Sequence, residues 1–294
     1  MNLQACHSIA DLRSLAQRKL PKVMFDYIDG GAEDEVTMQR NSSDFNRYSL
    51  VPRTLTDVSN VNLATRIQGV DSSLPLVLSP TGGSRLFHHE GELAVSRVAA
   101  DKGLIYSLSS MSTYNIEAVA AHSPATKWFQ IYVWKDRGVV REFIARCKAS
   151  GYQALILTVD VQTAGNRERD LRNGFTVPPR FTASSLFDMA LHPAWWWHML
   201  TKPRLTLANV VNKAGAGVNS ATALGHYAAS QLDPAVTYDD LAWMIQEWGG
   251  PFLVKGLVAA DDAKRAVDLG ATGLMLSNHG GRQLDHSLSP IAAL

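Results

Sequence analysis

Short apolar runs alternate with amphipathic stretches along the chain from residue 74 onward. The runs lack the alternation of polar and apolar positions that marks a half-exposed strand, and this favours strands that are covered on both faces. The stretches between the runs carry apolar residues at helical spacing. In Arg137–Ser150, for example, one helical face holds the residues Val140, Phe143, Ile144 and Cys147.

This pattern predicts strands at residues 74–79, 105–110, 127–133, 154–160, 252–256 and 273–278. It also predicts helices at residues 8–20, 22–29, 91–102, 115–121, 137–150, 239–248 and 261–269. Alternating strands and helices indicate parallel βαβ units, so the predicted fold class is α/β. Most of the strands end in polar residues. Functional side chains at the carboxyl ends of successive strands favour a (β/α)8 TIM barrel, because the active site of that fold lies at this face. The alternative is an open doubly wound sheet, which concentrates its site at one crossover.

The predicted strands correspond to about six of the eight βα units of such a barrel. We expect residues 1–73 to form N-terminal helices and a loop-rich preface, and residues 74–294 to form an incomplete barrel. Residues 178–234 form an insertion that is longer than a βα connection needs. No Gly-x-Gly-x-x-Gly pattern follows any predicted strand, which argues against a Rossmann dinucleotide site.

Composition narrows the class of protein without identifying it. The 294 residues are 46% hydrophobic and 19% charged, as in an ordinary globular protein, and the formal net charge of +1 supplies no field for nucleic acid. The two cysteines, Cys6 and Cys147, stand in no metal-ligand spacing, so we expect no metal site and a reducing compartment. Asp11 and Arg13 fall where an export signal needs apolar residues, and no run approaches the roughly 20 residues of a transmembrane helix. These features favour a cytoplasmic protein.

The densest collection of chemical groups lies in residues 277–285, which follow the apolar run 273–276 and begin at the end of the last predicted strand. The adjacent Gly280 and Gly281 allow positive φ angles or the close approach of a ligand to the backbone. Arg282 offers a planar fork for a carboxylate or phosphate, and His279 is suited to proton transfer near neutral pH. The alternative interpretation is a glycine-rich turn with a helix-capping histidine and a solvated arginine.

Five motifs along the chain carry a resemblance to a known family. They are Pro80-Thr81-Gly82, residues 128–133 (Trp-Phe-Gln-Ile-Tyr-Val), residues 157–160 (Leu-Thr-Val-Asp), Val254-Lys255-Gly256 and residues 277–285. With residues 19–22 and 26–27, they closely resemble the FMN-dependent α-hydroxy-acid dehydrogenase/oxidase family, which includes glycolate oxidase, L-lactate dehydrogenase and (S)-mandelate dehydrogenase. The resemblance runs through nearly the whole chain. It implies a TIM barrel, an FMN cofactor and the oxidation of a small L-2-hydroxy acid to the 2-oxo acid.

The resemblance also implies roles for individual residues. His279 is implied as the base that meets the α-carbon or hydroxyl hydrogen of the substrate, and Asp160 as the partner of its ring. Two arginines and two tyrosines are implied to bind the substrate, and the tyrosines also to assist catalysis: Arg167, Arg282, Tyr27 and Tyr132. Lys255 is implied to lie near N1 and O2 of the flavin. The other implied FMN ligands are Pro80, Thr81, Gly82, Ser109, Gln130, Thr158 and, as a weaker candidate, Ser277.

Each of these residues also has a structural interpretation when it is considered alone. Asp160 at the end of a strand is suited to cap a helix. Tyr27 is equally suited to be a core aromatic residue with a satisfied hydroxyl group. Arg167 belongs to a charged run, residues 166–170, that is typical of a solvated loop. Lys255 differs, because a buried ammonium group needs an anionic partner.

The resemblance implies two further βα units, which carry the ligands of the FMN phosphate. We therefore expect this 294-residue chain to have two unpaired sheet edges and to bind FMN weakly or not at all when it is alone. A catalytically inactive fragment, a barrel completed by a partner and a different fold are the alternatives. A related FMN barrel, such as a type 2 isopentenyl diphosphate isomerase, is disfavoured by the paired arginines and by residues 279–282.

The insertion contains Trp195–Trp197 and the nearby basic residues Lys202, Arg204 and Lys213. Indole rings beside cations are typical of a membrane interface. The pattern resembles the membrane-binding segment of bacterial L-lactate and mandelate dehydrogenases. It implies peripheral contact with the cytoplasmic side of the inner membrane and a quinone or other respiratory electron acceptor. The alternatives are a substrate lid or an oligomer contact, with O2 as the acceptor in an oxidase.

Two positions bear on the identity of the substrate. Gly82 stands where oxidases of small acids tend to have alanine, and its small size fits the dehydrogenase branch. Met111 stands where glycolate oxidase-like sequences carry tryptophan. These positions leave both L-lactate and L-mandelate open, and we favour L-lactate, with L-mandelate as the second choice. The resemblance further implies a homo-tetramer.

Overall fold

The structure is a computed structural model that describes residues 3–176, 179–211 and 230–294. An antiparallel hairpin of β1 (Thr65–Ile67) and β2 (Val70–Ser72) precedes the main sheet. The main sheet contains six parallel strands in the same order as along the chain: β3 (Val77–Leu78), β4 (Ile105–Ser109), β5 (Lys127–Ile131), β6 (Ala154–Thr158), β7 (Phe252–Leu257) and β8 (Gly273–Leu276). Among the described residues, β3 and β8 each pair on one side only.

Twelve α-helices lie within the described ranges. Three precede the main sheet: α1 (Ile9–Lys19), α2 (Lys22–Asp29) and α3 (Val36–Ser43). Three connect its first four strands: α4 (Gly91–Asp101), α5 (Ile116–His122) and α6 (Arg137–Ala149). Three more follow β6 and fall largely in the insertion: α7 (Glu168–Arg172), α8 (Ala183–Ala190) and α9 (Pro193–Thr201). The last three are α10 (Tyr238–Trp248), α11 (Ala260–Asp268) and α12 (Pro290–Ala293).

The two faces of the main sheet bury different side chains. One face packs against the helices, and this layer forms the largest apolar cluster, which includes Phe129, Leu155 and Val254. The opposite face holds a smaller cluster with Trp128 and Ile156 at its centre. Both faces are therefore covered, which explains why the strands lack a polar–apolar alternation. This arrangement is the curled sheet of a partial (β/α)8 barrel, and it confirms the predicted fold class.

The β1–β2 hairpin covers the end of the sheet that lies opposite to the strand carboxyl ends. Ile67 and Val70 pack against the inner apolar cluster. The Gln68 side chain donates a hydrogen bond to the Thr272 carbonyl and accepts one from the Thr272 hydroxyl, just before β8 begins. The amino-terminal end of the partial barrel is therefore closed by this hairpin.

The preface is more ordered than the sequence pattern indicates. Residues 32–73 were expected to be loop-rich, but they contain α3 and the β1–β2 hairpin. Helix α3 has few apolar residues, and its first turn is capped from a distant segment, since the Asp285 carboxylate accepts hydrogen bonds from the backbone N–H groups of Val36 and Thr37. A local pattern cannot reveal a helix that depends on such a contact.

Candidate active site

The carboxyl ends of β6, β7 and β8 bring Asp160, Lys255 and Ser277 together. Strand β7 contains an irregularity between Lys255 and Leu257, where its register against β8 shifts by a residue. Gly256 occupies this bulge with a φ of +110°, a conformation that suits glycine. A Cβ atom at Gly256 would lie 2.6 Å from Cγ of Asp160. The bulge and the missing side chain therefore leave the space that the Asp160 carboxylate occupies.

A hydrogen-bonded network joins these residues to His279. Nδ1 of His279 lies 2.8 Å from Oδ1 of Asp160. The Ser277 hydroxyl donates to Oδ2 of Asp160 at 3.1 Å and accepts a hydrogen bond from Nζ of Lys255 at 3.0 Å. The ammonium group of Lys255 is 3.7 Å from the same carboxylate oxygen. The sequence predicted the Asp160–His279 pair, and the geometry brings these two side chains into contact.

The protonation of the network follows from these contacts. Burial opposes the ionisation of Asp160, but the hydrogen bond from His279, the charge of Lys255 and the Ser277 hydroxyl outweigh it and lower the pKa of Asp160. Burial lowers the pKa of Lys255, and the Asp160 carboxylate opposes this effect. Because the ionised carboxylate accepts hydrogen bonds only, Nδ1 of His279 must carry the donated hydrogen. Nε2 is then the atom of the neutral ring that can accept a proton.

Two guanidinium groups lie close to the ring of Tyr27. The distance from the ring centroid to the guanidinium carbon is 5.3 Å for Arg167 and 5.1 Å for Arg282. Arg167 also pairs with Asp170, its Nε lying 2.7 Å from Oδ2, while Arg282 donates to the Gly30 carbonyl. Burial and the charge of Arg167 lower the pKa of Arg282. Two cations this close together form a site for an anion such as a carboxylate.

Tyr132 lies between the histidine network and the arginine cluster. Its ring centroid is 6.5 Å from that of His279. Burial, the charge of Asp160 and the nearby Tyr27 raise the pKa of the Tyr132 phenol. The charge of Arg282 opposes this rise but does not outweigh it. The phenol therefore stays protonated and can donate a hydrogen bond. The structure thus places the predicted base and the predicted anion ligands around one space.

Further predicted ligands lie on the neighbouring strands β4, β5 and β6. The Ser109 hydroxyl donates to Oε1 of Gln130 at 2.8 Å and accepts a hydrogen bond from the backbone of Met111. Nε2 of Gln130 is buried and has no hydrogen-bond partner among the described residues. Thr158 is also buried at the end of β6. An unpaired buried amide donor requires an acceptor, and the carbonyl-rich ring of a flavin supplies one, so these residues fit FMN.

The Pro80–Gly82 segment follows β3 at the edge of the sheet. A Cβ atom at Gly82 would lie 3.0 Å from Cβ of Met111, so the space beside Gly82 is filled by Met111. Thr81 is exposed, and its hydroxyl group is 3.5 Å from that of Ser84. Gly82 and Met111 are therefore neighbours, although the sequence interpretation treated them as two independent indications of the substrate.

Several residues that support the site were missed by the sequence interpretation. The Asn278 side chain exchanges two hydrogen bonds with the Asn41 side chain on α3. Asn278 also donates to the Leu288 carbonyl and accepts from the N–H of Gly281, so its buried amide is fully bonded. This anchoring holds His279 at a φ of +56°, which is unusual for a residue other than glycine. An Asn before the histidine was the available signal, but its partner lies far away in the sequence.

Asp285 is the second residue of this kind. Its carboxylate caps α3, as described above. Burial by itself raises the pKa of Asp285. The hydrogen bonds that the carboxylate accepts outweigh burial and lower the pKa to about 2; they come from the backbone of Thr37, His286 and Val36 and from the Thr37 hydroxyl. The loop at residues 277–285 is therefore held at both of its ends by the N-terminal segment. Within the described ranges, no group of three or more metal-binding side chains has a suitable arrangement.

Comparison with known proteins places this geometry in a family. The family described as FMN-dependent dehydrogenase matches residues 16–294. The L-lactate dehydrogenase of Caulobacter vibrioides is 41% identical over 289 residues, which are 98% of this chain and 75% of that protein. The L-lactate dehydrogenase of Pseudomonas syringae pv. syringae is 41% identical over 292 residues, with the same coverage of both proteins.

A solved structure is similar over the same extent. The crystal structure of the monotopic membrane protein (S)-mandelate dehydrogenase superimposes with a TM-score of 0.93 at 36% identity, covering 98% of this chain and 76% of that one. The site described above lies within the matched residues. The chain belongs to the FMN-dependent dehydrogenase family.

Proposed function

We propose that the protein oxidises an L-2-hydroxy acid to the 2-oxo acid, with FMN as the cofactor. The observation that carries this proposal is the Asp160–His279 pair beside the two guanidinium groups at Tyr27. The pair provides a proton acceptor, and the arginines provide a site for the carboxylate that lies next to the reacting carbon. The catalytic and binding roles below are part of this proposal.

His279 removes a proton from the α-carbon or the hydroxyl group of the substrate through Nε2. Asp160 holds the ring through Nδ1 and stabilises the imidazolium that results. The oxidation takes two electrons and two protons from the substrate, and the carbon–oxygen single bond becomes a carbonyl. When bound, FMN would supply the acceptor for both electrons and for the hydrogen that His279 does not take.

Arg167 and Arg282 bind the substrate carboxylate by charge-assisted hydrogen bonds. The phenol of Tyr132, which stays protonated, donates to the substrate hydroxyl or carboxylate. Tyr27, whose ring lies near both guanidinium groups, donates to the same substrate groups. These contacts orient the α-carbon toward His279. They also replace the water that would otherwise solvate the substrate charge.

The residues that hold FMN line the ends of the neighbouring strands: Pro80, Thr81, Gly82, Ser109, Gln130, Thr158 and Lys255. Nε2 of Gln130 supplies a donor that needs an acceptor, and the ammonium group of Lys255 offsets negative charge on a reduced ring. Ser277 is not included, because its hydroxyl group is fully engaged by its neighbours.

L-Lactate is our preferred substrate, with L-mandelate second. The relatives compared by sequence are L-lactate dehydrogenases, whereas the similar solved structure is a mandelate dehydrogenase at lower identity. The Cβ atom and backbone of Met111 lie against Gly82, so a larger residue at position 82 would be crowded by Met111.

We expect L-lactate to reduce the flavin of the FMN-saturated protein in the absence of oxygen. The measurement is the loss of the flavin absorbance band after anaerobic mixing with L-lactate, L-mandelate or D-lactate. L-Lactate should bleach the flavin faster than L-mandelate, and D-lactate should have no effect. Bleaching by neither L-acid, with the flavin bound, would contradict the proposed function.

We further propose that α8 and α9 bind peripherally to the cytoplasmic side of the inner membrane and that the electrons pass to a quinone. Four large apolar side chains of this segment are more than 55% exposed: Phe187 (69%) on α8, Leu191 (62%) directly after it, and Trp197 (58%) and Leu200 (74%) on α9. The cations Lys202 and Arg204 are exposed directly after α9, while Lys213 lies outside the described residues. Apolar side chains beside cations suit an anionic lipid surface. Within the described ranges no helix is long and apolar enough to span a membrane.

The three tryptophans of α9 have different positions. Trp195 donates its indole N–H to the Leu86 carbonyl and packs against the apolar cluster that α2 contributes to. Trp197 is exposed, and its ring meets that of Trp196 edge to face. Trp195 therefore anchors α9 to the barrel. In the proposed membrane binding, Trp197 and its exposed neighbours contact the lipid.

Replacing these four apolar side chains by serine should release the protein from membranes. Because full burial of one such side chain contributes about 1.5–3 kcal/mol, we expect binding to phosphatidylglycerol vesicles to weaken by about tenfold or more. Vesicle sedimentation measures this. The control replaces four apolar residues outside this segment that are at least as exposed on average, Leu50, Leu55, Val58 and Val61, by serine, and it should leave vesicle binding unchanged. Equal weakening in both variants, or none in either, would contradict the assignment.

A further inference from the structure

The Ser277 hydroxyl group lies at the centre of the catalytic network. It accepts hydrogen bonds from the Lys255 ammonium group at 3.0 Å and from the backbone N–H of His279 at 2.9 Å. It donates to Oδ2 of Asp160 at 3.1 Å. A hydroxyl group has one donor and two acceptor positions, so its hydrogen-bonding capacity is fully used within the protein.

These contacts leave Lys255 and Asp160 as a separated ion pair. Nζ of Lys255 is 3.7 Å from Oδ2 of Asp160, longer than a charge-assisted hydrogen bond of about 2.7–2.9 Å. Both side chains are largely buried, so their attraction is only weakly screened by water. The serine hydroxyl occupies the positions through which the ammonium and the carboxylate would otherwise bond directly.

A direct Lys255–Asp160 bond would disturb both ends of the network. The carboxylate would turn toward the ammonium group and lose alignment with Nδ1 of His279, which it now meets at 2.8 Å. The ammonium group would be committed to Asp160 and less available to an anion above the sheet. The bulge at Gly256 makes such a shift feasible, because no side chain separates Asp160 from β7 at this point.

We propose that Ser277 is a positioning residue that keeps Lys255 and Asp160 apart, so that Asp160 serves His279 and Lys255 serves the cofactor. The proposal rests on the proposed function for the roles of the two charges. Ser277 acts through its neighbours and not through contact with the substrate. The backbone bond from His279 to the same hydroxyl also ties the start of the loop at residues 277–285 to the ion pair.

The test compares Ser277→Ala with Ser277→Thr, which retains the hydroxyl group. In a crystal structure of the alanine variant, Nζ of Lys255 and Oδ2 of Asp160 should close from 3.7 Å to direct contact. In the FMN-saturated protein, kcat for L-lactate should fall about tenfold while KM changes little, because the base is misaligned and the carboxylate site is intact. The threonine variant should retain the separation and most of the kcat.

The matched control is Ser107→Ala, because Ser107 is also buried and its hydroxyl has no hydrogen-bond partner among the described residues. It should leave kcat and the Lys255–Asp160 distance unchanged. An unchanged distance or kcat in Ser277→Ala would overturn the proposal, and so would an equal loss in Ser107→Ala. If no 2-hydroxy acid reduces even the wild-type flavin, the proposed function fails, while the crystallographic distances still decide whether Ser277 is a spacer.

Discussion

Replacing His279 by asparagine is expected to lower kcat by about 10²–10⁴-fold, the usual contribution of a positioned general base. Asparagine tolerates the positive φ of +56° at this position, so the backbone of the loop should persist. Its amide cannot accept a proton from the substrate. The measurement is the rate of flavin reduction by L-lactate in an anaerobic stopped-flow experiment with the FMN-saturated variant.

The control for this prediction is a histidine that directly follows the loop at residues 277–285. His286 is exposed and also has a positive φ, of +58°, so His286→Asn makes the same chemical change at a similar backbone conformation. It should leave the rate of flavin reduction within about twofold of the wild-type rate, the range of surface substitutions. A His279→Asn variant that retained more than about a tenth of the wild-type rate would show that another group is the base.

Replacing Arg282 by methionine is expected to lower kcat/KM for L-lactate by about 100-fold or more. Loss of one partner from a buried, hydrogen-bonded charge contact costs about 2–5 kcal/mol, and part of this loss falls on substrate binding. Arg282→Lys should recover only part of it, because an ammonium group lacks the planar fork that binds a carboxylate through two hydrogen bonds. Steady-state kinetics and the dissociation constant of oxalate, a non-reacting dicarboxylate, measure the effect.

A surface arginine provides the control for this prediction. The control is Arg172→Lys, because Arg172 is exposed and pairs with Glu168 at the surface of α7. This change should leave kcat/KM and oxalate binding unaffected. If Arg282→Met binds oxalate as tightly as the wild type, Arg282 does not bind the carboxylate, and its hydrogen bond to the Gly30 carbonyl would be its main contribution.

The sequence was most informative where structure depends on local pattern. The predicted helix at residues 22–29 matches α2, and the apolar face of the helix at residues 137–150 is buried as expected. The strand ends were also predicted, because buried parallel strands have continuous apolar runs that stop at polar residues. Parallel strands in a barrel bring their carboxyl ends to one face, which places Asp160 and His279 in the same region, but their pairing was implied by the family resemblance and not by the pattern.

The features that the sequence did not predict depend on contacts between distant segments. The bulge at Gly256, the central position of Ser277 and the amide pair of Asn41 and Asn278 each involve partners from different parts of the chain. The position of Trp195 is similar, since composition groups three tryptophans together while helical geometry turns them to different sides. Residue type indicates what a side chain can bond, but its partner is set by the fold.

The contact between α3 and the loop at residues 277–285 also has a consequence for folding kinetics. Asn41 and Asn278 are 237 residues apart, so their amide pair closes a very long loop, and the entropy lost in that closure must be offset by contacts made elsewhere beforehand. The intervening strands, each of which pairs with the next strand along the chain, close shorter loops than this contact and can form without it. Docking of α3 is therefore expected among the last folding events. Substitutions of Asn41 or Asn278 would therefore slow the step in which His279 reaches its native position. This delay is expected even where the folded site is almost unchanged.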